Sequence, residues 1–381
     1  MQTTSSSHDT EQVLIAMDAA REGTLALVAP LSEEDLQRVH SPIMSPLAWD
    51  LGHIAAYEDL WLAHRHGGMA LLRPELAGLY DAFETPRAVR GDIEALSHAG
   101  AIAYLEEVRE RTAEVLAERG VGDGVVWEMV LRHELQHCET MRQTMDIGGL
   151  LAPGEPALAR LAVAEGWVEL PAGAFAMGAP AEGFAYDNER PRHSVEVDAF
   201  QMAARPVSNC SWMRFSEGGG YERREWWSRE GWAWKQEYDI THHPAIADGH
   251  PEAAACHVSW FEADAFARAH GARLPTEREW ERAATWEQET GRDAGAKGRR
   301  EGVLGEVGHV WEWTSSRFDG YPGFRAYPYR EYSEVFFGND YRVLRGSSWA
   351  TAGRVASVTF RNWDLPQRRQ IFSGLRLARD A

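Results

Sequence analysis

Cysteine is scarce in this 381-residue chain, which has only Cys138, Cys210 and Cys256. Three widely spaced thiols make no disulfide framework, so a reducing cytoplasm is the expected compartment. Positive charge is also short. Lys and Arg number 39 against 58 Asp and Glu, a formal net charge of −19. That balance argues against nucleic acid as a partner, because binding phosphates needs clustered cations. No apolar run reaches the ~18 residues of a membrane span. The polar first twelve residues lack the basic start and apolar centre of a signal peptide. The remaining composition, 44% hydrophobic and 25% charged, is that of a globular protein, and the length suits two domains. One residue type is abundant: 16 Trp suggest loops pinned by buried rings.

The chain changes grammar near its middle. Helical periodicity predicts four long helices, at about residues 8–29, 46–65, 92–119 and 124–146, with an irregular stretch at 67–91. Four amphipathic segments on short joints suggest a four-helix bundle. After Ile147-Gly148-Gly149, the run through Pro153, Gly154 and Pro156 reads as a linker. Beyond it come short β-type runs at 167–170, 194–197 and 341–344 between Gly- and Trp-rich loops. Two short helical stretches, near 209–218 and 260–270, interrupt them, so this half reads as α+β.

His133 and His137 lie four residues apart on the fourth predicted helix, so their rings share a face. Val126, Met129, Val130, Met141 and Met145 continue that face, which turns the histidines inward. An inward, unpartnered ring nitrogen is costly, and a metal is one partner. His53 on the second helix, in line with Trp49, Tyr57 and Leu60, is the candidate third ligand, since bundle cores assemble ligands from facing helices. A satisfied core pair of histidines is the plain alternative. The string His133-Glu134-Leu135-Gln136-His137 also matches the zinc metalloprotease signature, with Glu134 as general base. Spacing alone does not separate a zinc hydrolase from a redox iron site, and open all-histidine ligation suits Fe(II), Zn or Cu.

A family pattern runs through the second half. Its marks are Pro171-Ala172-Gly173-Ala174-Phe175-Ala176-Met177-Gly178, Asp187-Asn188-Glu189-Arg190-Pro191 and Arg273-Leu274-Pro275-Thr276-Glu277-Arg278-Glu279-Trp280-Glu281. Val310-Trp311-Glu312-Trp313-Thr314-Ser315, Arg345-Gly346-Ser347-Ser348-Trp349 and Ser373-Gly374-Leu375-Arg376-Leu377-Ala378 complete it. These resemble the formylglycine-generating-enzyme (sulfatase-modifying factor) fold, a relative of C-type lectins. The first half, with Ser45-Pro46-Leu47-Ala48-Trp49-Asp50-Leu51-Gly52-His53-Ile54 and His133-x-x-x-His137-x-Glu139, resembles DinB-like bundles. The order of the two is similar to that of the hercynine-dependent sulfoxide synthases of ergothioneine biosynthesis. The expected fold is therefore α+β in two domains: a DinB-like four-helix bundle at 1–150, a linker at 151–163, and a formylglycine-generating-enzyme/C-type-lectin-like domain at 164–381.

The resemblance implies a mononuclear non-heme Fe(II) enzyme with His53, His133 and His137 as ligands and O2 as co-substrate. It would join a sulfur to C2 of the imidazole of hercynine and leave a sulfoxide. Arg87 and Arg90 match positions that bind the carboxylates of γ-glutamylcysteine, and Asp364 and Arg368 complete that pocket. Guanidinium suits carboxylate and carboxylate suits ammonium, although two surface arginines could simply be solvated charges. Gln136, Asn362 and Trp363 match positions that hold hercynine, where an aromatic face suits a quaternary ammonium. Tyr329 matches the tyrosine that supplies a proton or hydrogen atom to the oxygen chemistry, with Tyr332 beside hercynine.

The pattern is not followed everywhere. Relatives carry a longer insertion where this chain has the short charged stretch 289–302, which bears on any structural ion there. The closing segment also lacks the catalytic cysteine pair of formylglycine-generating enzymes. A sister group takes a selenosugar and makes selenoneine by C–Se bond formation. Arg87, Arg90 and Asp364 favour the carboxylate-bearing thiol over that uncharged donor. A DinB-type thiol transferase using zinc or nickel would leave the second domain without a role. A lectin-like binding module would not need three inward histidines.

Overall fold

Serines start five of the helices. Ser32, Ser97, Ser208, Ser228 and Ser259 each accept an amide N–H from the first turn of the helix that follows, a cap worth ~1 kcal/mol. The computed structural model of the chain describes residues 3–152, 154–155, 158–243, 249–290 and 304–381, with backbone alone at 3–9 and 287–290. It divides into two units, Met1–Pro153 and Gly154–Ala381.

The first unit holds α1 (Thr3–Val28), the short α2 (Glu33–Gln37), α3 (Leu47–Glu58), α4 (His98–Arg119) and α5 (Val125–Gly148). The third long helix starts at the Ser97 cap rather than near residue 92, because Arg87–Asp92 winds as a 3-10 turn. α3 runs on into a π-helical stretch, Asp59–His66. The apolar core joins Leu47, Leu51, Ile54 and Ala55 of α3 to Tyr104, Leu105 and Val108 of α4 and Cys138, Met141 and Met145 of α5. Each fully buried large side chain contributes roughly 1.5–3 kcal/mol.

One buried ionic cluster takes a side chain from each long helix. Arg21 of α1 donates to Glu134 of α5 at 2.8 Å and to Glu58 of α3 at 2.7 Å. Arg109 of α4 donates to Glu58 at 2.9 Å and approaches Glu134 at 3.5 Å. Thr24 adds a bond to Glu134 at 2.8 Å, and Arg21 also reaches the Leu105 carbonyl. Burial works against the Glu58 carboxylate, but Arg21 and Arg109 outweigh it and hold the group below its ordinary range.

Among its described residues the second unit is built on three small sheets. β1 (Trp167–Leu170), β4 (Phe200–Ala203) and β9 (Ala378–Asp380) form one in the order β1-β4-β9. β2 (Gly173–Met177) and β3 (His193–Val197) pair as a second. The third, in the order β7-β6-β5-β8, contains β7 (Asn362–Asp364), β6 (Arg342–Gly346), β5 (Trp311–Arg317) and β8 (Ser373–Leu375), with β8 parallel to β5. The helices are α6 (Asn209–Glu217), α7 (Arg229–Glu237), α8 (Trp260–Ala269) and α9 (Glu277–Thr290). The sequence reading anticipated α6 and α8 and passed over α7 and α9. For α9 the signal was present: Thr276 and Glu279 exchange bonds as a capping box. The charged family motifs turn out to be core ties. Glu312 of β5 takes Arg376 at 2.7 Å and the Trp280 indole at 2.8 Å, Glu281 of α9 takes Arg345, and Glu277 takes Arg361 at 2.8 Å. The shortened stretch at 289–302 falls, beyond Thr290, outside the described residues.

The four-helix ionic cluster yields a stability prediction. Arg21→Met strands two buried carboxylates on one arginine and should cost about 3–5 kcal/mol in urea unfolding; a loss below ~1 kcal/mol would contradict the assignment. Glu58 has a folded pKa below its unfolded value of ~4.3, so its contribution is complete above that pH and is lost as pH falls through the depressed folded value.

Candidate metal centre and its surroundings

The side chains of α3 that follow one another at four-residue steps are Trp49, His53 and Tyr57, and those of α5 are His133 and His137. The two sets meet inside the first unit. The ring centroids of His53, His133 and His137 lie 4.5–4.9 Å apart pairwise, and one ring nitrogen from each falls within 4.8 Å of the others. Trp49 stacks on His53 at 4.8 Å, and Tyr57 of α3 stacks on His133 of α5 at 3.7 Å. Burial pushes His53 and His133 well below the ordinary histidine range, and His137 adds to the shift. Both are neutral at pH 7, the form that binds metal.

Outer partners fix which nitrogen faces inward. His53 Nδ1–H donates to the Tyr80 carbonyl at 2.6 Å, leaving Nε2 as a lone pair. His137 Nδ1–H donates to Asp50 Oδ1 at 3.1 Å, which leaves Nε2 as the nitrogen facing the other two rings. His53 Nε2 and His133 Nε2 are then 3.1 Å apart. Two nitrogens bound ~2.1 Å from one ion at a right angle would be ~3.0 Å apart, so the spacing fits a shared cation. The donor set is imidazole nitrogen with carboxylate and carbonyl behind it, a usual support for a metal-binding histidine.

Several of these supports were invisible to the sequence reading. Asp50 is buried on α3 three residues before His53, and its Oδ2 has no hydrogen-bond partner among the described residues. Tyr80 acts through its backbone, which no side-chain pattern reports. Its ring packs where a Cβ on Gly52 would lie 2.2 Å away, so the glycine next to His53 admits the Tyr80 segment. A cavity of about 220 Å³ opens beside His53, lined by Tyr57, Leu60, Tyr80, Asp81 and Tyr104 among others.

Glu134 cannot be the free base of a zinc hydrolase. Its carboxylate is buried and committed to Arg21 and Thr24 on another side of α5. Arg87 and Arg90 part company. Arg87 is exposed, whereas Arg90 is buried against the Trp49 ring at 3.5 Å and donates to Thr85, Ser45 and Ala82. Burial draws its guanidinium down to about 10, with Asp50 pulling the other way. Gln136 sits half-buried on α5, in sequence between His133 and His137.

In the second unit the remaining predicted residues come together. Tyr332 stacks on Tyr186 at 4.4 Å and meets Tyr329 and Trp363 edge-on at 6.2 and 5.8 Å. Trp363 stacks on Phe318 at 4.1 Å. Asn362 and Asp364 flank Trp363 on edge strand β7, and Asp364 pairs with Arg368 at 3.3 Å.

A helical bundle with three inward histidines is joined in one chain to a mixed α/β unit with buried ionic ties, a two-domain protein with a candidate metal centre. A family model of the DinB superfamily matches residues 16–141, and one of the sulfatase-modifying factor enzyme 1-like domain matches 155–300 and 294–381. The chain is 39% identical to the hercynine oxygenase of Mycolicibacterium thermoresistibile over 95% of its own length and 93% of the relative's. It is equally similar to that of Mycobacterium tuberculosis, over 97% and 99%, and to that of Mycolicibacterium smegmatis, over 95% and 97%. The chain belongs to the hercynine oxygenase family.

The Asp50 contact makes a direct prediction. Asp50→Ala should weaken metal binding about 10–100-fold in a chelator competition, and Asp50→Asn, which keeps an acceptor, should weaken it less. An unchanged affinity in a folded Asp50→Ala protein would show that His137 is oriented by something else.

Proposed function

We propose that the chain catalyses O2-dependent C–S bond formation at C2 of the hercynine imidazole, the sulfoxide-forming step of ergothioneine biosynthesis. The observation that carries this reading is the convergence of His53, His133 and His137 in a chain so similar, end to end, to hercynine oxygenases. The reaction balances as hercynine C–H plus thiol S–H plus O2, giving a C–S(O) sulfoxide and one water. Four electrons leave the two substrates and reduce both oxygen atoms.

Fe(II) is the proposed ion, since zinc has no redox chemistry to offer O2. When bound to His53, His133 and His137 it would supply the electron transfer to oxygen. The protein's own residues do the rest. Tyr329 provides a hydroxyl that donates a proton or hydrogen atom to the reacting oxygen. Gln136, Asn362 and Trp363 receive hercynine, with Tyr332 beside it, the indole face taking the trimethylammonium group.

The thiol proposed is γ-glutamylcysteine. Arg87 is exposed and available to a carboxylate, and Arg90 has five N–H positions of which three are committed. Asp364 and Arg368 take the ammonium and carboxylate at the other end. A cytoplasmic setting suits a chain none of whose three cysteines is in a disulfide. No helix among the described residues is long and apolar enough to cross a membrane.

Anaerobically iron-loaded protein given hercynine, then O2, with γ-glutamylcysteine, cysteine or selenoglucose in separate reactions, tests this reading by mass spectrometry. The sulfoxide of the γ-glutamylcysteine conjugate is expected. Absence of coupled product with every donor would overturn the activity, and product from the selenosugar alone would overturn the donor. Tyr329→Phe should lower kcat on the order of 10²-fold with iron content unchanged; full activity would remove the tyrosine from the mechanism.

A further inference from the structure

Asp187 is a buried carboxylate that, among the described residues, is held by hydrogen bonds and not by an ion pair. Burial lifts it to about 6, in spite of the bonds it accepts from Ser333, Tyr327 and Asn188. A group this costly to bury calls for a reason. It sits in the 3-10 turn Asp187–Glu189, and the groups it holds belong to the segment that carries Tyr329. Ser333 Oγ–H donates to Asp187 Oδ1 at 2.5 Å, and the Tyr327 amide donates to Oδ2 at 3.3 Å. One carboxylate therefore grips the chain on both sides of Tyr329. Asn188 Nδ2 donates to the same Ser333 hydroxyl at 2.9 Å, using its acceptor as well as its donor. Ser333 is fully buried and joins two 3-10 turns, Arg330–Tyr332 and Glu334–Phe336. Tyr186, the residue before Asp187, stacks face to face on Tyr332.

We propose that Asp187, with Asn188 and Ser333, is a strap that fixes the 327–333 segment, making Asp187 a positioning residue for Tyr329 in turnover. The proposal rests on the role given to Tyr329 above. Short 3-10 turns have poor hydrogen-bond geometry of their own and hold a side chain loosely. Misplacement of a reacting group by about 1 Å can cost 10²-fold in rate. The requirement is for two acceptors on one side chain. Asparagine offers only one, and would turn an N–H toward either the Tyr327 amide or the Ser333 hydroxyl.

The test compares wild type, Asp187→Asn, Ser333→Ala and Tyr329→Phe by hydrogen exchange of the peptide spanning 327–334, by iron content, and by kcat and KM. In Asp187→Asn, exchange of that peptide should rise about tenfold while the rest of the protein stays protected. kcat should fall about 10–100-fold, with a smaller change in KM for γ-glutamylcysteine and iron retained. If Asp187→Asn does not fold, Ser333→Ala, which leaves the carboxylate in place, reads the same quantities. Unchanged exchange in a folded variant overturns the strap. Faster exchange with unchanged kcat overturns the positioning role. Faster exchange alongside a fully active Tyr329→Phe enzyme sinks the role of the tyrosine while leaving the strap standing.

Discussion

The Nε2 atoms of His53 and His133, 3.1 Å apart in a desolvated interior, set the terms for the first unit. Their approach is tolerable only with a shared proton or a cation between them. The outer contacts suit a cation. Tyr80 and Asp50 each take the Nδ1 proton of a ring, so His53 and His137 turn their Nε2 atoms toward the same point. A proton could satisfy one pair of nitrogens; an ion could satisfy all three. Gly52, the Trp49 and Tyr57 stacks and the buried Asp50 are the means by which the helices maintain that approach.

The scaffold around this constraint is ionic as well as apolar. A buried salt bridge is weak evidence of stability, because desolvation can cancel its Coulombic gain. Its value here is directional. Arg21, Glu58, Arg109 and Glu134 come one from each long helix, so the cluster is satisfied in one mutual register of α1, α3, α4 and α5. Glu134 adjoins His133 in sequence, and anchoring it sets the rotation of α5 that turns His133 and His137 inward. The second unit uses the same device, with Glu277, Glu281 and Glu312 holding Arg361, Arg345 and Arg376.

Much of this was legible in the sequence, for identifiable reasons. The spacing of His133 and His137 on an apolar stripe, and of His53 with Trp49 and Tyr57, are local patterns that a helix period exposes. The four long helices were legible for the same reason. What escaped depended on distant partners. Arg90 looked like a surface charge, yet Trp49 and the Thr85 and Ala82 carbonyls bury it. The Tyr80 carbonyl that orients His53 is a backbone atom 27 residues away. Asp187 belonged to a motif read as a family mark, and its tie to Ser333, 146 residues on, left no trace in either stretch. α9 was missed although its capping box was in plain view, because its charged face outweighed the two core residues, Trp280 and Ala283, in the periodicity.

The central claim is that the three imidazoles form one metal site. Its most direct test is the iron stoichiometry of wild type and of His53→Ala, His133→Ala and His137→Ala, each loaded anaerobically and dialysed against a weak chelator. One tightly held iron per wild-type chain is expected, and none in any of the three variants. Stoichiometric iron in a variant lacking one of these histidines would contradict it.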